Sequence, residues 1–491
     1  MREGDRAAVA SKNAVLLVAT LATFVTPFSM SAVNIALPAI GAEFSMDAIL
    51  MGWVSTSFLL ASATFLVIFG RLSDIHGRKR IFAYGTVIFM VTSLVISASP
   101  SAEILILMRI IQGFGGAMIA TTSVALITSV FPPGERGKAL GINSAAVYTG
   151  LSAGPFLGGL LTQYFGWRAI FLFKAPLMAL VILLIFTLMK GEWREARGEK
   201  FDFAGSAIYG FMLVSTIYGF SILPSYAGGA LLAAGLLGLI AFIKYESKAK
   251  SPVLDMRLFR GNRVFTFSNL AALINYASTS AITFLMSLYL QYVRGLDPQG
   301  AGLILLSQPV VQVVLSPIAG KLSDRVEPRL ISSSGMAIIS AGLFVLATIS
   351  PDTPQLVIVA NLAALGFGFA LFITPNTNAI MSSVERKYLG VASGTLATMR
   401  QIGQTLSMGF AMMVLALYVG PVQITPPLFP AFMSSLTAIF VFFAILCLVG
   451  MGASLARGKA LNNRGGGGRE SENPPTPPDT GGATKERERP K

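Results

Sequence analysis

The chain has 491 residues, 54% hydrophobic and 12% charged, where a soluble domain carries roughly 25% charged residues; its mean hydropathy is +0.69. This composition excludes a soluble globular protein. A single cysteine, Cys447, and a single histidine, His76, exclude an intramolecular disulfide, a cysteine zinc site and a Ser/His or Cys/His nucleophile system, and the net charge of +14 lacks the basic soluble face that nucleic-acid binding requires.

Cut at charged or Pro/Gly-rich breaks, the apolar residues fall into runs of about 20, enough for a helix to cross roughly 30 Å of hydrocarbon. Helices are predicted to start near residues 13, 48, 80, 103, 138, 168, 203, 226, 265, 299, 330, 355, 391 and 430. The runs are too long and lack the alternation of barrel strands. Arg2, Arg6 and Lys12 precede the first run as in a secretory signal, but the run is too long and no cleavage site follows. It is read as an uncleaved first span.

Lys and Arg gather in the N-terminus, the even-numbered loops and the tail from Arg457, while the odd-numbered loops hold Arg168 and Arg294. The positive-inside rule then places both termini in the cytoplasm. Arg109, Lys174 and Arg400 remain within the spans. The tail is Gly, Pro and charge with almost no apolar residue, so it is expected to be disordered. No Walker-type loop for ATP is present, no cofactor or metal is expected, and no catalytic constellation lies in the spans.

A duplication is legible. GRLSDIHGRKR begins at Gly70 and GKLSDRVEPRL at Gly320, 250 residues apart, which aligns Asp74 with Asp324; Glu135 and Arg136 in GERGKALG likewise align with Glu385 and Arg386 in VERKYLG. Span 2 maps onto span 10 and span 4 onto span 12, so spans 7 and 8 are inserted. The expected fold is all-α and integral to the membrane, with fourteen transmembrane helices in two six-helix pseudo-repeats. Its divisions are a cytoplasmic N-terminus (1–12), an N-terminal bundle (13–190), the inserted pair with its flanking loops (191–263), a C-terminal bundle (264–456) and the tail (457–491). In transporters built from such repeats, the substrate site lies between the halves near the midplane.

These segments resemble the signatures of the major facilitator superfamily, specifically its fourteen-helix drug:proton antiporter branch, over about residues 13–455. GRLSDIHGRKR is similar to the loop signature between helices 2 and 3, with Gly70, Asp74, Gly77, Arg78 and Lys79 in matching places. LILMRIIQGFGG resembles the helix 4 signature and contributes Arg109, Gln112 and Gly113. The most specific match is GLSAGPFLGG, similar to the antiporter signature of helix 5, with Gly150, Gly154, Pro155, Gly158 and Gly159 in place. WRAIF at Trp167 and FDFAG at Phe201 also look like this branch.

Glycines four apart with Pro155 inside a helix let neighbouring backbones approach closely and the helix bend, which makes helix 5 a packing hinge. Asp74 at a helix junction can accept from free N–H groups at a helix start. The resemblance implies that this contact, with Asp324 and Arg325 in the second copy, is a latch that forms in one transport state. The basic residues of the loop also set topology. A lone cation in a span costs on the order of 3 kcal/mol unless it faces a polar cavity or a partner. Arg109 and Arg400 are accordingly read as cavity residues, while Lys174 either snorkels from the Trp167 end or faces the cavity. Other cavity candidates are Asn34, Gln112, Asn143, Tyr148, Asn275, Tyr276, Gln308, Gln312 and Asn376, each of which could instead only join helices.

One departure stands out. The helix 1 signature of this branch resembles L-D-x-T-I-V-N-V-A-L-P, and this chain has Ser29 at the acid's position; Lys174 departs as well, since its counterpart looks like an asparagine. Every acidic residue falls in a loop, a terminus or a helix end. A buried carboxylate that trades a proton for a cationic substrate is therefore missing. The resemblance implies a secondary transporter in the inner membrane that exports amphipathic small molecules, with protons as the coupling ion. The charges instead favour a neutral, zwitterionic or anionic substrate. Coupling is then open to Lys174 as a proton carrier, or is absent, with Arg109 and Arg400 as fixed counter-charges in a uniporter or anion exchanger. A non-transporting sensor or scaffold on the same fold is the remaining class.

Overall fold

A computed structural model of the chain describes residues 3–132, 135–195, 201–248, 259, 261–323, 325–385 and 389–458. Asp324, Arg386 and the tail from 459 onward lie outside the described residues. The helices are α1 (Glu3–Glu43), α2 (Ala48–His76), α3 (Arg78–Ser97), α4 (Ala102–Val130), α5 (Arg136–Phe165), α6 (Arg168–Leu188), α7 (Phe203–Ser221) and α8 (Tyr226–Glu246). They continue with α9 (Arg263–Val293), α10 (Pro298–Ser323), α11 (Pro328–Ala347), α12 (Gln355–Ser382), α13 (Leu389–Tyr418) and α14 (Phe429–Ala456). The fold is all-helical, as the apolar runs predict.

Thirteen of these are long and apolar enough to cross a membrane, α1 over Lys12–Glu43. The other, α5, is 30 residues long, and its glycines dilute its apolarity. Helix starts coincide with polar caps: the side chains of Asp47, Ser101, Asp202, Ser225 and Asn262 each accept from a backbone N–H three residues on. Span α9 is interrupted, running helical over Arg263–Thr279 and Ile282–Leu288 and ending in a π turn, Tyr289–Val293. At the break, the Ala281 N–H donates to Ser407 Oγ of α13 at 3.1 Å, so the backbone donor is satisfied inside the protein.

The two halves repeat one packing plan. In the first, α1 packs on α4, α5 and α6, α4 on α2 and α3, and α3 on α6; in the second, α9 packs on α13 and α14, α12 on α10 and α11, and α11 on α14. The inserted α7 lies against α2 of one half and α13 of the other, with α8 outside it. Tyr209 of α7 donates to the Ala63 carbonyl of α2 at 3.0 Å, while Ile402 and Leu406 of α13 pack into the same apolar cluster.

The halves meet tightly along α5 and α10, where glycine is required. A Cβ on Gly159 would stand 2.5 Å from the Pro298 carbonyl oxygen of α10, and within the first half one on Gly158 would stand 2.8 Å from Ala32 Cα of α1. Gly150 and Gly154 abut Phe24 and Ser31 of α1, and Gly302 of α10 abuts Pro155. The same end is tied by Gln291 Nε2 donating to the Ile35 carbonyl at 2.9 Å and by the Ala48 N–H donating to the Val422 carbonyl at 3.4 Å. At the other end, open space surrounds Gly390 and Gly394 near the start of α13.

Gly154→Val forces α1 and α5 apart, and overpacking of this kind costs about 1–3 kcal/mol. Its thermal unfolding midpoint in detergent is expected to fall by several degrees. Gly141→Ala, placed where nothing lies within 4 Å, is expected to leave the midpoint in place.

Candidate functional site

A cavity of about 180 Å³ lies between the halves. From the first half Thr26, Asn34, Phe58 and Tyr148 line it; from the second come Tyr276, Phe369 and a band of amides, Gln308, Gln312, Gln401 and Gln404, with Arg400 among them. The wall combines apolar and aromatic surface with a few convergent polar groups, the usual make-up of a small-molecule site. Gln401 Nε2 of α13 donates to Ser62 Oγ of α2 at 2.8 Å, bridging the halves. Asn34 Oδ1 accepts from Ser55 at 2.7 Å, which fixes the amide at the wall. Tyr148 interacts with Tyr276 and with the Arg400 charge. Among the described lining residues, Arg400 alone is charged.

Of the predicted cavity residues, the cavity thus gathers Asn34, Tyr148, Tyr276, Gln308, Gln312 and Arg400. Ser29, Arg109, Gln112, Asn143, Lys174, Asn275 and Asn376 do not line it. Most of the predicted first-half residues pack within their own bundle instead. Arg109 is fully buried: Nε donates to the Val54 carbonyl of α2 at 3.0 Å and one terminal nitrogen donates to Gln112 Oε1 at 2.6 Å, while its other terminal nitrogen has no hydrogen-bond partner among the described residues. Its guanidinium lies 4.4 Å from the centre of the Phe58 ring. Gln112 passes the network to Ser93 of α3 at 2.8 Å.

Lys174 neither snorkels nor reaches the cavity. It is fully buried, and Nζ donates to Ser29 Oγ at 2.6 Å, with the Phe171 and Phe89 ring centres 4.1 and 5.7 Å away. The two positions that depart from the family pattern are therefore in contact.

In the second half Asn275 is fully buried with neither amide atom hydrogen-bonded among the described residues, and Asn376 Nδ2 donates to the Ser268 carbonyl at 3.1 Å. Asn376 Oδ1 accepts from Arg457 at 2.9 Å, and this arginine also donates to Ser268 Oγ and Ser332 Oγ at 3.2 Å each. Arg457 was assigned by sequence to the head of the tail. At 1% exposure it is instead a clamp joining the end of α14 to α9, α11 and α12. A basic residue after an apolar run signals topology whether it is wet or buried, so no sequence signal separates the two.

The loop after α2 is held within its own half. Asp74 pairs with Arg78, at 2.7 Å, rather than with free N–H groups at a helix start. Arg78 also forks onto Glu195, at 2.6 and 2.9 Å, and bonds the Ala125 carbonyl and Ser129 of α4. The Lys79 N–H donates to Glu192 Oε1 at 2.8 Å and its ammonium to the Met189 carbonyl. Residues 189–195 therefore fold back over the loop, a contact absent from the sequence reading. Gly77 takes φ +124°, and Gly70 faces Thr121. In the second copy Arg325 is exposed.

The sequence profile described as Major Facilitator Superfamily matches residues 19–408. The chain is 29% identical over 399 residues to the riboflavin transporter RibZ of Clostridioides difficile (strain 630), covering 81% of this chain and 86% of that protein. It is 31% identical over 387 residues to the multidrug resistance protein Stp of Mycobacterium tuberculosis (strain CDC 1551 / Oshkosh), covering 78% and 71%. Among solved structures, a bacterial homologue of the human drug peptide transporters PepT1 and PepT2 superposes with a TM-score of 0.64 at 15% identity, covering 91% of this chain and 98% of that one.

Arg457→Lys replaces a planar fork with a single point charge and strands at least one acceptor among Ser268, Ser332 and Asn376. A loss of about 1–3 kcal/mol is expected, read as a lower unfolding midpoint in detergent. An unchanged midpoint contradicts the clamp.

Proposed function

We propose, from the premise that this chain belongs to the Major Facilitator Superfamily and is a multi-pass secondary transporter, that it exports neutral or anionic amphipathic small molecules from the cytoplasm across the inner membrane by alternating access. The observation that carries this reading is the charge of the cavity wall. Among the described lining residues the one charge is Arg400, surrounded by four glutamines, Asn34 and two tyrosines. In a low-dielectric cavity a permanent cation meets repulsion there, whereas carbonyl, carboxylate or hydroxyl oxygens meet donors.

Alternating access is supported by the packing. The α5–α10 seam is closed at one end by backbone approach through glycines, and space remains at the start of α13. Opening that seam while the loop ends come together exposes the cavity to the opposite side. Asp74 is then released to meet a helix start, the latch expected of this loop. The proposed orientation puts the α2–α3 loop and both termini in the cytoplasm, and the six-helix bundles at 13–190 and 264–456 are the rocking units. The names of the relatives agree with an organic-molecule exporter, and the riboflavin name fits a neutral, carbonyl-bearing ring system. Arg400 also supports a second reading, an exchanger or uniporter for anionic metabolites.

Cells expressing the protein are expected to expel a neutral or an anionic fluorescent lipophile and to retain a cationic one. Expulsion of the cation alone, stopped by a protonophore, overturns the charge argument. Arg400→Gln is expected to weaken handling of the anionic dye more than that of the neutral dye, measured as efflux rate against dye concentration.

A further inference from the structure

We propose that Lys174 and Ser29 form the proton-exchange site of this transporter, standing in for the carboxylate that helix 1 lacks. This rests on the transport reading above and adds to it the residues that carry the proton. The pair sits inside the first bundle, behind the cavity wall: α1 gives Pro27, Met30 and Ser31 to the cavity, while Ser29 points to α6.

The chemistry follows from what the two groups can do. An ammonium has three N–H donors, and among the described residues Nζ has one hydrogen-bond acceptor, Ser29 Oγ, with aromatic rings on two sides. When Nζ is an ammonium, Ser29 Oγ accepts from it; when Nζ is a neutral amine, the Ser29 hydroxyl turns and donates to the nitrogen lone pair. The contact is thus kept in both protonation states. An aspartate at position 29 would instead hold the lysine charged. An amine can give up its proton in such a site, whereas a guanidinium stays charged.

The surroundings favour a group that changes charge. Lys174 on α6 is packed by α1, α3 and α5. The described charged or titratable side chains there are Lys12 and Glu43 towards the ends of α1, Arg78, Lys79, Arg80 and Tyr84 at the start of α3, and Arg136, Lys138, Tyr148 and Tyr164 on α5; α6 itself adds Arg168 at its start. Glu43 is engaged by Trp167 and Arg168, at 2.7 and 2.6 Å. The charge acting on Lys174 is Arg109 of α4, a second cation. Among the described residues no carboxylate pins the ammonium.

The nearest cavity-lining residue on this face of α1 is one turn back. Thr26 lines the cavity; its hydroxyl is turned away from the cavity surface and is bonded to no described residue, Ser29 included, so it is free to turn towards either side, and residues three apart lie on one helix face. In the proposed relay, Thr26 turns to bond Ser29; a hydronium in the cavity breaks an O–H bond to protonate Thr26, Thr26 and then Ser29 each pass on their own hydroxyl proton, and Nζ gains the N–H bond. The reverse transfers return the proton to water when the cavity faces the other side. Relative to a carboxylate the cycle runs between neutral and positive rather than negative and neutral. Its matching substrate is therefore neutral or anionic, in line with Arg400.

The test uses the full chain in proteoliposomes with the neutral or anionic dye moved in the cell assay, comparing exchange without a gradient with uptake under one unit of pH across the membrane. One proton per dye concentrates the dye about tenfold at equilibrium. Wild type is expected to show this accumulation. K174R and S29D are expected to lose it, measured as the ratio of driven to gradient-free exchange. The double variant S29D/K174N, which returns the acid to helix 1, is expected to regain pH-driven transport and guards against a merely misfolded K174R. Full accumulation by K174R overturns the proposal. A wild type that exchanges dye but ignores the pH gradient, or responds to a chloride gradient in its place, also overturns it and leaves the transport reading standing. A wild type that exchanges no dye removes the transport reading itself.

Discussion

The arrangement of both bundles depends on how this protein holds buried cations largely through neutral partners. Arg109, Lys174 and Arg457 are each buried to within 1% of complete. Their hydrogen-bond partners among the described residues are hydroxyls, amides and backbone carbonyls, drawn in each case from a different helix than the cation's own, Gln112 excepted. Such partners stabilise a charge only when several converge in fixed positions. The helices that supply them are thereby held in register. Arg109 ties α4 to α2 and, through Gln112, to α3; Lys174 ties α6 to α1; Arg457 ties α14 to three helices. Charge burial is a major part of the cross-bracing of each half.

The glycine-rich seam is the complement of that bracing. Within a bundle, polar contacts hold helices at fixed depth; between bundles, α5 and α10 meet by backbone approach at Gly159 and Gly302, with the Tyr164 hydroxyl donating to Gln299 Oε1 across the seam. Dispersion at close contact is favourable but unspecific. Rigid halves and a weakly bonded seam are what a two-state rocking device requires.

Much of this was legible in sequence. The helix count and starts, the duplication and the insertion followed from apolar run length and from spaced loop motifs, because in a bilayer length and hydropathy leave few alternatives. Second-half cavity residues such as Gln308, Gln312 and Arg400 were also visible, as polar groups on otherwise apolar helices. The sequence failed where polarity is directed inward within a bundle. Arg109, Gln112 and Lys174 carry the same local pattern as Arg400, and only three-dimensional packing separates a bracing cation from one that faces the cavity. Arg457 was hidden by its position beside the tail. The fold-back of residues 189–195 over Arg78 and Lys79 lies in a loop whose pattern offered only charge.

The placement of α7 has a mechanical result. It is fastened to the first half by Tyr209, whose hydroxyl holds the Ala63 carbonyl of α2, but it touches the second half through Ile402, Leu406 and the bare backbone at Gly409, which faces Ile217 and Phe220. One attachment is bonded and the other is a greased track. In the proposed rocking, the bonded contact carries the inserted pair with the first half, and the second half moves past it along an apolar face.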